Sequence, residues 1–239
     1  MILIDYAWAT ILGIPKEIHN SIQNSIQIPN TVTTIEEYAF AYCSSLTSVI
    51  IPDSVTSIKK GTFYRCYALT SVVIPNTVKS IGVGAFYQCL NLTSVIIPDS
   101  VTQIEEGAFY RCESLTTIIV PNSVISIGKR AFYGNNSLTS VTIPNSVTSI
   151  GELAFSVDAT ATINKLEAEI SESDIKDADY QGEGCMIEII NQAIMPQTIE
   201  NNVFRGVDKS KCTLRVPKEA VEVYQTAEGW KEFIDIVAL

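Results

Sequence analysis

The side chains able to do chemistry are few, and most of them recur at one spacing. Cys43, Cys66, Cys89 and Cys112 stand 23 residues apart, and the next position in that series is Asn135. Neighbouring members of such a row lie roughly 5 Å apart, close enough for a disulfide. They point the same way, however, and the Asn in the row favours free, buried thiols that pack or bond the backbone. A straight row cannot wrap a tetrahedral metal site, and no Cys-x-x-Cys accompanies it. Cys185 and Cys212 both precede expected strands, which leaves a disulfide between them as the other pairing to consider. The single histidine, His19, is remote from any marked Ser or Cys, and there is no nucleophile elbow, phosphate loop or zinc-binding His pair. Asp174, Asp177 and Asp179 lack the Asp-x-Asp-x-Asp-Gly spacing of a calcium loop. Glu36-Glu37 and Glu105-Glu106 are expected to face Lys59-Lys60 as exposed ion pairs rather than in a catalytic cleft. No catalytic residue, cofactor or metal site is therefore expected.

The elements that must position these groups follow the same step. Pro29, Pro52, Pro75, Pro98, Pro121 and Pro144 are each 23 residues apart, as are Phe40, Phe63, Phe86, Phe109, Phe132 and Phe155. The rows from Val32 to Val147 and from Ile35 to Ile150 keep the same register. A period of this length marks a solenoid in which each coil contacts only its neighbours. Within one unit, Thr47-Ser-Val-Ile-Ile51 reads as a strand with Val49 and Ile51 facing one side and Ser48 and Ile50 the other. Pro52 ends the strand because it has no N–H to donate. Val55 and Ile58 return to the core, and Gly61 with Thr62, Phe63 and Cys66 suits a single helical or 3-10 turn. Stacking places Val49, Val72, Val95, Ile118 and Val141 in one inner ladder and Ile51, Ile74, Ile97, Val120 and Ile143 in another, with the Phe row filling the opposite wall.

Four segments follow: an irregular N-terminal lead over 1–24, regular repeats over 25–156, an acidic irregular insert over 157–185, and a degenerate last repeat with its cap over 186–239. The net charge of −10 is concentrated beyond the repeats, with eight acids between Asp158 and Glu183. That balance argues against nucleic acid, which calls for a basic stripe. The insert departs from the 23-residue rule and leaves the number of strands there open. Thr198 to Phe204 parallels Thr34 to Phe40, and Thr213-Leu-Arg-Val-Pro217 parallels a strand with its proline. Val221, Tyr224 and Ala227 fall at helical spacing, so a capping helix is expected, then a strand over Phe233 to Val237. No stretch is long enough and apolar enough to span a membrane as a helix. The start, Met1 to Leu12, carries Asp5 and lacks the basic region of a signal peptide.

The unit Leu-Thr-Ser-Val-Ile-Ile-Pro-Asp-Ser-Val-Thr-Ser-Ile, closed by Phe and Cys, resembles the BspA-type (Treponema-type) leucine-rich repeat, and the ending Pro217 to Trp230 is similar to the terminal segment of such proteins from gut Bacteroidetes. The resemblance implies a leucine-rich-repeat solenoid: a parallel β-sheet on one face, short helical or 3-10 turns and loops on the other, and a C-terminal capping helix. It also implies a secreted or cell-surface protein engaged in adhesion, with host proteins among its partners and no catalytic residues to carry over.

Two surface rows then stand out. Ser48, Ser71, Ser94, Thr117 and Ser140 run beside Ile50, Val73, Ile96, Ile119 and Thr142 as an uncharged stripe, half hydroxyl and half aliphatic. Strand propensity alone explains such residues, and so does a docking surface for protein or glycan. The other row, Tyr64, Tyr87, Tyr110 and Tyr133, suits recognition or packing equally. The expected function is a non-catalytic binding scaffold, with a structural or self-assembling repeat protein as the alternative.

Overall fold

A computed structural model describes residues 24–157, 186–200 and 202–239. His19, Asp174, Asp177, Asp179 and Cys185, weighed above for chemistry, therefore lie outside the described residues. The chain winds as a parallel β solenoid. Its first face begins with β1 (Ser25–Gln27), β2 (Ser48–Ile50) and β3 (Ser71–Val73), paired in that order. It resumes with β6 (Thr117–Ile119), β8 (Ser140–Ile143), β10 (Glu188–Asn191), β11 (Thr213–Val216) and β12 (Asp235–Ala238). The registers set like against like, Val49 against Val72 and Ile118 against Val141, as the 23-residue step requires.

Two features depart from the reading of the sequence. Thr93–Ile97, expected to supply a strand, is not one, so the first face is split into sheets of three and five strands. Val95 is only partly buried, whereas Val49, Val72, Ile118 and Val141 are fully so. A second sheet was not anticipated: β4 (Ser80–Ile81), β5 (Gln103–Ile104), β7 (Ser126–Ile127) and β9 (Ser149–Ile150). It pairs Ile81, Ile104, Ile127 and Ile150 in register, and Ile58 joins Ile81 by a single bridge. At Gly128 a Cβ would lie 2.6 Å from the Glu105 backbone of the preceding coil, so only a glycine admits this approach.

The third wall is built from turns closed by i to i+3 bonds, for example Tyr64 N–H to Gly61 O at 2.9 Å and Cys66 N–H to Phe63 O at 3.2 Å. Two left-handed residues per coil stop these turns from growing into helices. One series runs Tyr38, Gly61, Gly84, Gly107, Arg130 and Leu153; the other is Tyr42, Arg65, Gln88, Arg111 and Gly134. A left-handed non-glycine costs roughly 1–2 kcal/mol. Such N–H groups reach the next coil, as Arg65, Gln88 and Arg111 do to Tyr87, Tyr110 and Tyr133, all at 2.7 Å. Those bonds, repeated from coil to coil, offset the strain.

Behind the turns the Phe row forms an unbroken stack from Phe40 to Phe155, with centroids 5.1 to 5.4 Å apart. It continues to Phe204 at 5.7 Å, although residues 158–185 intervene in the chain. The first face continues likewise, since β10 pairs directly with β8 and no strand stands between them. Trp230 and Phe233 end the stack against Phe204, at 5.4 and 5.5 Å.

The C-terminal cap is a 3-10 turn (Lys218–Ala220) leading into a short helix, α1 (Val221–Tyr224), shorter than the helical spacing through Ala227 suggested. It is pinned by buried polar groups. Tyr224 donates its hydroxyl to Ala193 O at 3.0 Å, and Trp230 donates its indole N–H to Gln197 O at 2.8 Å. Gln197 in turn donates to Val147 O at 3.0 Å and accepts from Asn191 at 2.9 Å, which ties the cap to earlier coils. Among the described residues no helix is long and apolar enough to cross a membrane.

Candidate functional site on the outer sheet face

Alternation along each short strand sends Val49 and its equivalents inward and leaves the serine and isoleucine rows outside. Ser48, Ser71 and Thr117 flank the aliphatic row on β2, β3 and β6, and Ser140 with Thr142 is half-buried on β8. Exposure along the aliphatic row is uneven: Ile50 is 44% exposed, Val73 57%, Ile96 83% and Ile119 71%. The stripe therefore peaks at its centre. Its hydroxyls are partly used between coils, since Ser48 donates to Ser25 Oγ at 2.8 Å. The adjacent threonines Thr70, Thr93 and Thr139 donate to the carbonyl of the preceding coil at 3.0, 3.3 and 3.1 Å.

Along the described strands of this face, charge enters at the C-terminal end, where Glu188 and Arg215 form an ion pair of 2.6 Å on β10 and β11. Ser94 and Ile96 belong to this stripe but sit on the segment that is not a strand, so the structure corrects their expected place on a paired ladder. Around them lies a trough of about 560 Å³, lined by Val95, Ile96, Ile97 and Ile119 and rimmed by Asn122 and Gln192. The sequence reading missed these last two. Asn122 belongs to a periodic row that follows the proline of each regular repeat (Asn30, Asp53, Asn76, Asp99, Asn122 and Asn145), a signal visible in the sequence. Gln192 comes from beyond the insert and gives no such signal.

The tyrosine row stands on the turn wall. Tyr64, Tyr87, Tyr110 and Tyr133 are half-buried and stacked, centroids 4.4 to 5.0 Å apart, with Arg65 over Tyr64 at 5.3 Å. Their faces are spent on one another, which makes them mainly a packing element.

The five described cysteines are free and buried. Cys66, Cys89 and Cys112 donate their thiols to Phe40, Phe63 and Phe86 carbonyls of the preceding coil, at 2.9, 3.2 and 3.2 Å. Burial pushes the Cys66 and Cys89 thiols well above their ordinary range, so they stay protonated and unreactive. Where the row becomes Asn135, its Oδ1 accepts the Cys112 N–H at 2.7 Å. Cys212 is a free, buried thiol, pushed up to about 12 chiefly by burial. The ion pairs are local: Lys59 meets Glu36 at 2.8 Å, and Lys129 meets Glu152. The expected meeting of Glu105-Glu106 with Lys59-Lys60 is corrected, because the coil holding Gly82 lies between them. Among the described residues no group of three or more His, Cys, Asp or Glu side chains is gathered to hold a metal ion.

The model of the BspA type leucine rich repeat region matches in six copies, over residues 16–92 and 79–211. The chain belongs to the BspA-type leucine-rich-repeat family. Its fold is similar to that of a leucine-rich-repeat protein of T. pallidum, at 24% identity and a TM-score of 0.50, covering 62% of this chain and 85% of that one. It is also similar to the pneumococcal vaccine antigen PcpA, at 17% identity and a TM-score of 0.52, covering 91% of this chain but 42% of that one. No curated protein matches the chain in sequence.

Proposed function

We propose that this BspA-type repeat protein is a non-catalytic binding module, secreted or held at a cell surface, whose outer sheet face engages a protein or glycan partner. The observation that carries the reading is the uncharged stripe whose most exposed members, Ile96 and Ile119 at 83% and 71%, sit together at its centre. Exposed aliphatic side chains cost solubility, and a contiguous row of them marks a surface that another molecule covers. The central position also suits the buried anchor cluster of an interface, with the hydroxyls as its polar surround. The family resemblance supports the extracellular setting and the absence of catalysis.

The test uses a panel of immobilised host extracellular-matrix proteins together with a glycan array. The protein carrying Ile96→Lys and Ile119→Lys should lose the binding shown by the wild type while keeping its circular dichroism and melting temperature. Binding that survives both substitutions would remove the sheet face as the site.

A further inference from the structure

We infer that the trough at the centre of the sheet face is a seat for an extended, uncharged polypeptide segment bearing aliphatic side chains, a reading that rests on the proposed function and narrows its partner. Leu46 to Thr56 and Leu92 to Thr102 are identical in sequence. The first copy forms β2 and pairs on both sides, with β1 and β3. The second leaves the ladder: among the described residues, the backbone N–H groups of Ser94, Val95, Ile96 and Ile97 meet no backbone carbonyl. The facing rims are open as well, since β3 pairs only with β2 and β6 only with β8. Among the described residues of the first face, this is the one interior coil that leaves the ladder, and the trough opens at that same coil.

Unpaired strand edges are templates for another backbone, and peptides that use them gain affinity from main-chain hydrogen bonds and selectivity from pockets for alternate side chains. Both are present here. The free N–H groups supply the first. The aliphatic lining of Val95, Ile96, Ile97 and Ile119 supplies the second, with the Asn122 and Gln192 amides at the rim to take peptide carbonyls and N–H groups. Asp99 is the one ionisable side chain of the lining, so charge selects little. The lining holds no aromatic ring on which a sugar could stack.

The probe is a random peptide library displayed on phage and panned against the whole chain, with a glycan array as the parallel arm. Enriched peptides should alternate aliphatic with small or hydroxyl residues and bind the wild type at least about tenfold more tightly than Ile96→Lys, a loss of about 1.4 kcal/mol. Ile96→Val should retain binding, and so should Ile50→Lys, which charges the same stripe on a fully paired strand. Peptide binding should also slow amide exchange over Ser94 to Ile97. Failure to enrich any peptide, or equal loss with Ile50→Lys, overturns the inference. A glycan whose binding is lost with Ile96→Lys overturns it too, yet leaves the sheet face as the binding surface. Array and panel binding indifferent to all three variants removes that surface as well.

Discussion

The turn wall and the outer sheet are built from the same 23-residue unit, yet one runs without interruption and the other breaks. On the wall, each coil meets the next through stacked Phe rings and through bonds from left-handed residues, and the row passes directly from Phe155 to Phe204. On the sheet, the strands are three or four residues long, and one coil between β3 and β6 has lost its ladder bonds altogether. The solenoid thus keeps its stability in the wall and tolerates a break in the sheet. Buried rings with redundant bonds hold the coil spacing even where the exposed ladder is interrupted.

Substitutions on the two sides should separate sharply. Phe109→Ala removes a fully buried ring stacked on Phe86 and Phe132, and should cost about 3–5 kcal/mol in denaturant unfolding. Asn135→Ala strikes the wall more gently. It leaves the buried Cys112 N–H without the Oδ1 acceptor, and should cost about 1–3 kcal/mol in the same measurement. The cost is held down because Asn135 Nδ2 is itself buried without a partner, so its removal relieves a penalty. Ile96→Ser should fall within about 0.5 kcal/mol of the wild type, as expected of an exposed site outside any ladder. A Phe109 effect as small as that of Ile96 would erase the distinction between wall and sheet.

Much of the wall was legible in the sequence, because its ring stacks join identical residues one period apart, Phe to Phe and Tyr to Tyr, and the cysteine row repeats in step with the Phe carbonyls that accept its thiols. The outer stripe was legible for the same reason, and its residues lie on the face that strand alternation assigned to them. The second sheet was half-visible. Its row from Ile58 to Ile150 is as regular as any other, but two-residue strands are too short to show alternation. The break at Thr93–Ile97 had no local signal, since eleven identical residues form a paired strand one place and an unpaired segment in another. Its cause lies in the surrounding coils, and pattern reading treats every coil alike. Gln192 was hidden for a related reason, because its place beside the trough depends on β10 following β8 in space rather than in the chain.

The most direct test of this contrast is residue-resolved amide hydrogen exchange on the free chain, with the two identical segments as each other's control. Paired strand amides open only with larger units of structure, whereas unpaired ones exchange readily. The amides of Val95, Ile96 and Ile97 should exchange at least about tenfold faster than those of Val49, Ile50 and Ile51, while Phe63, Phe86 and Phe109 stay protected throughout. Equal protection of the two segments would contradict the account, because it would mean that the sheet runs unbroken and that no backbone is held open at the centre of the stripe.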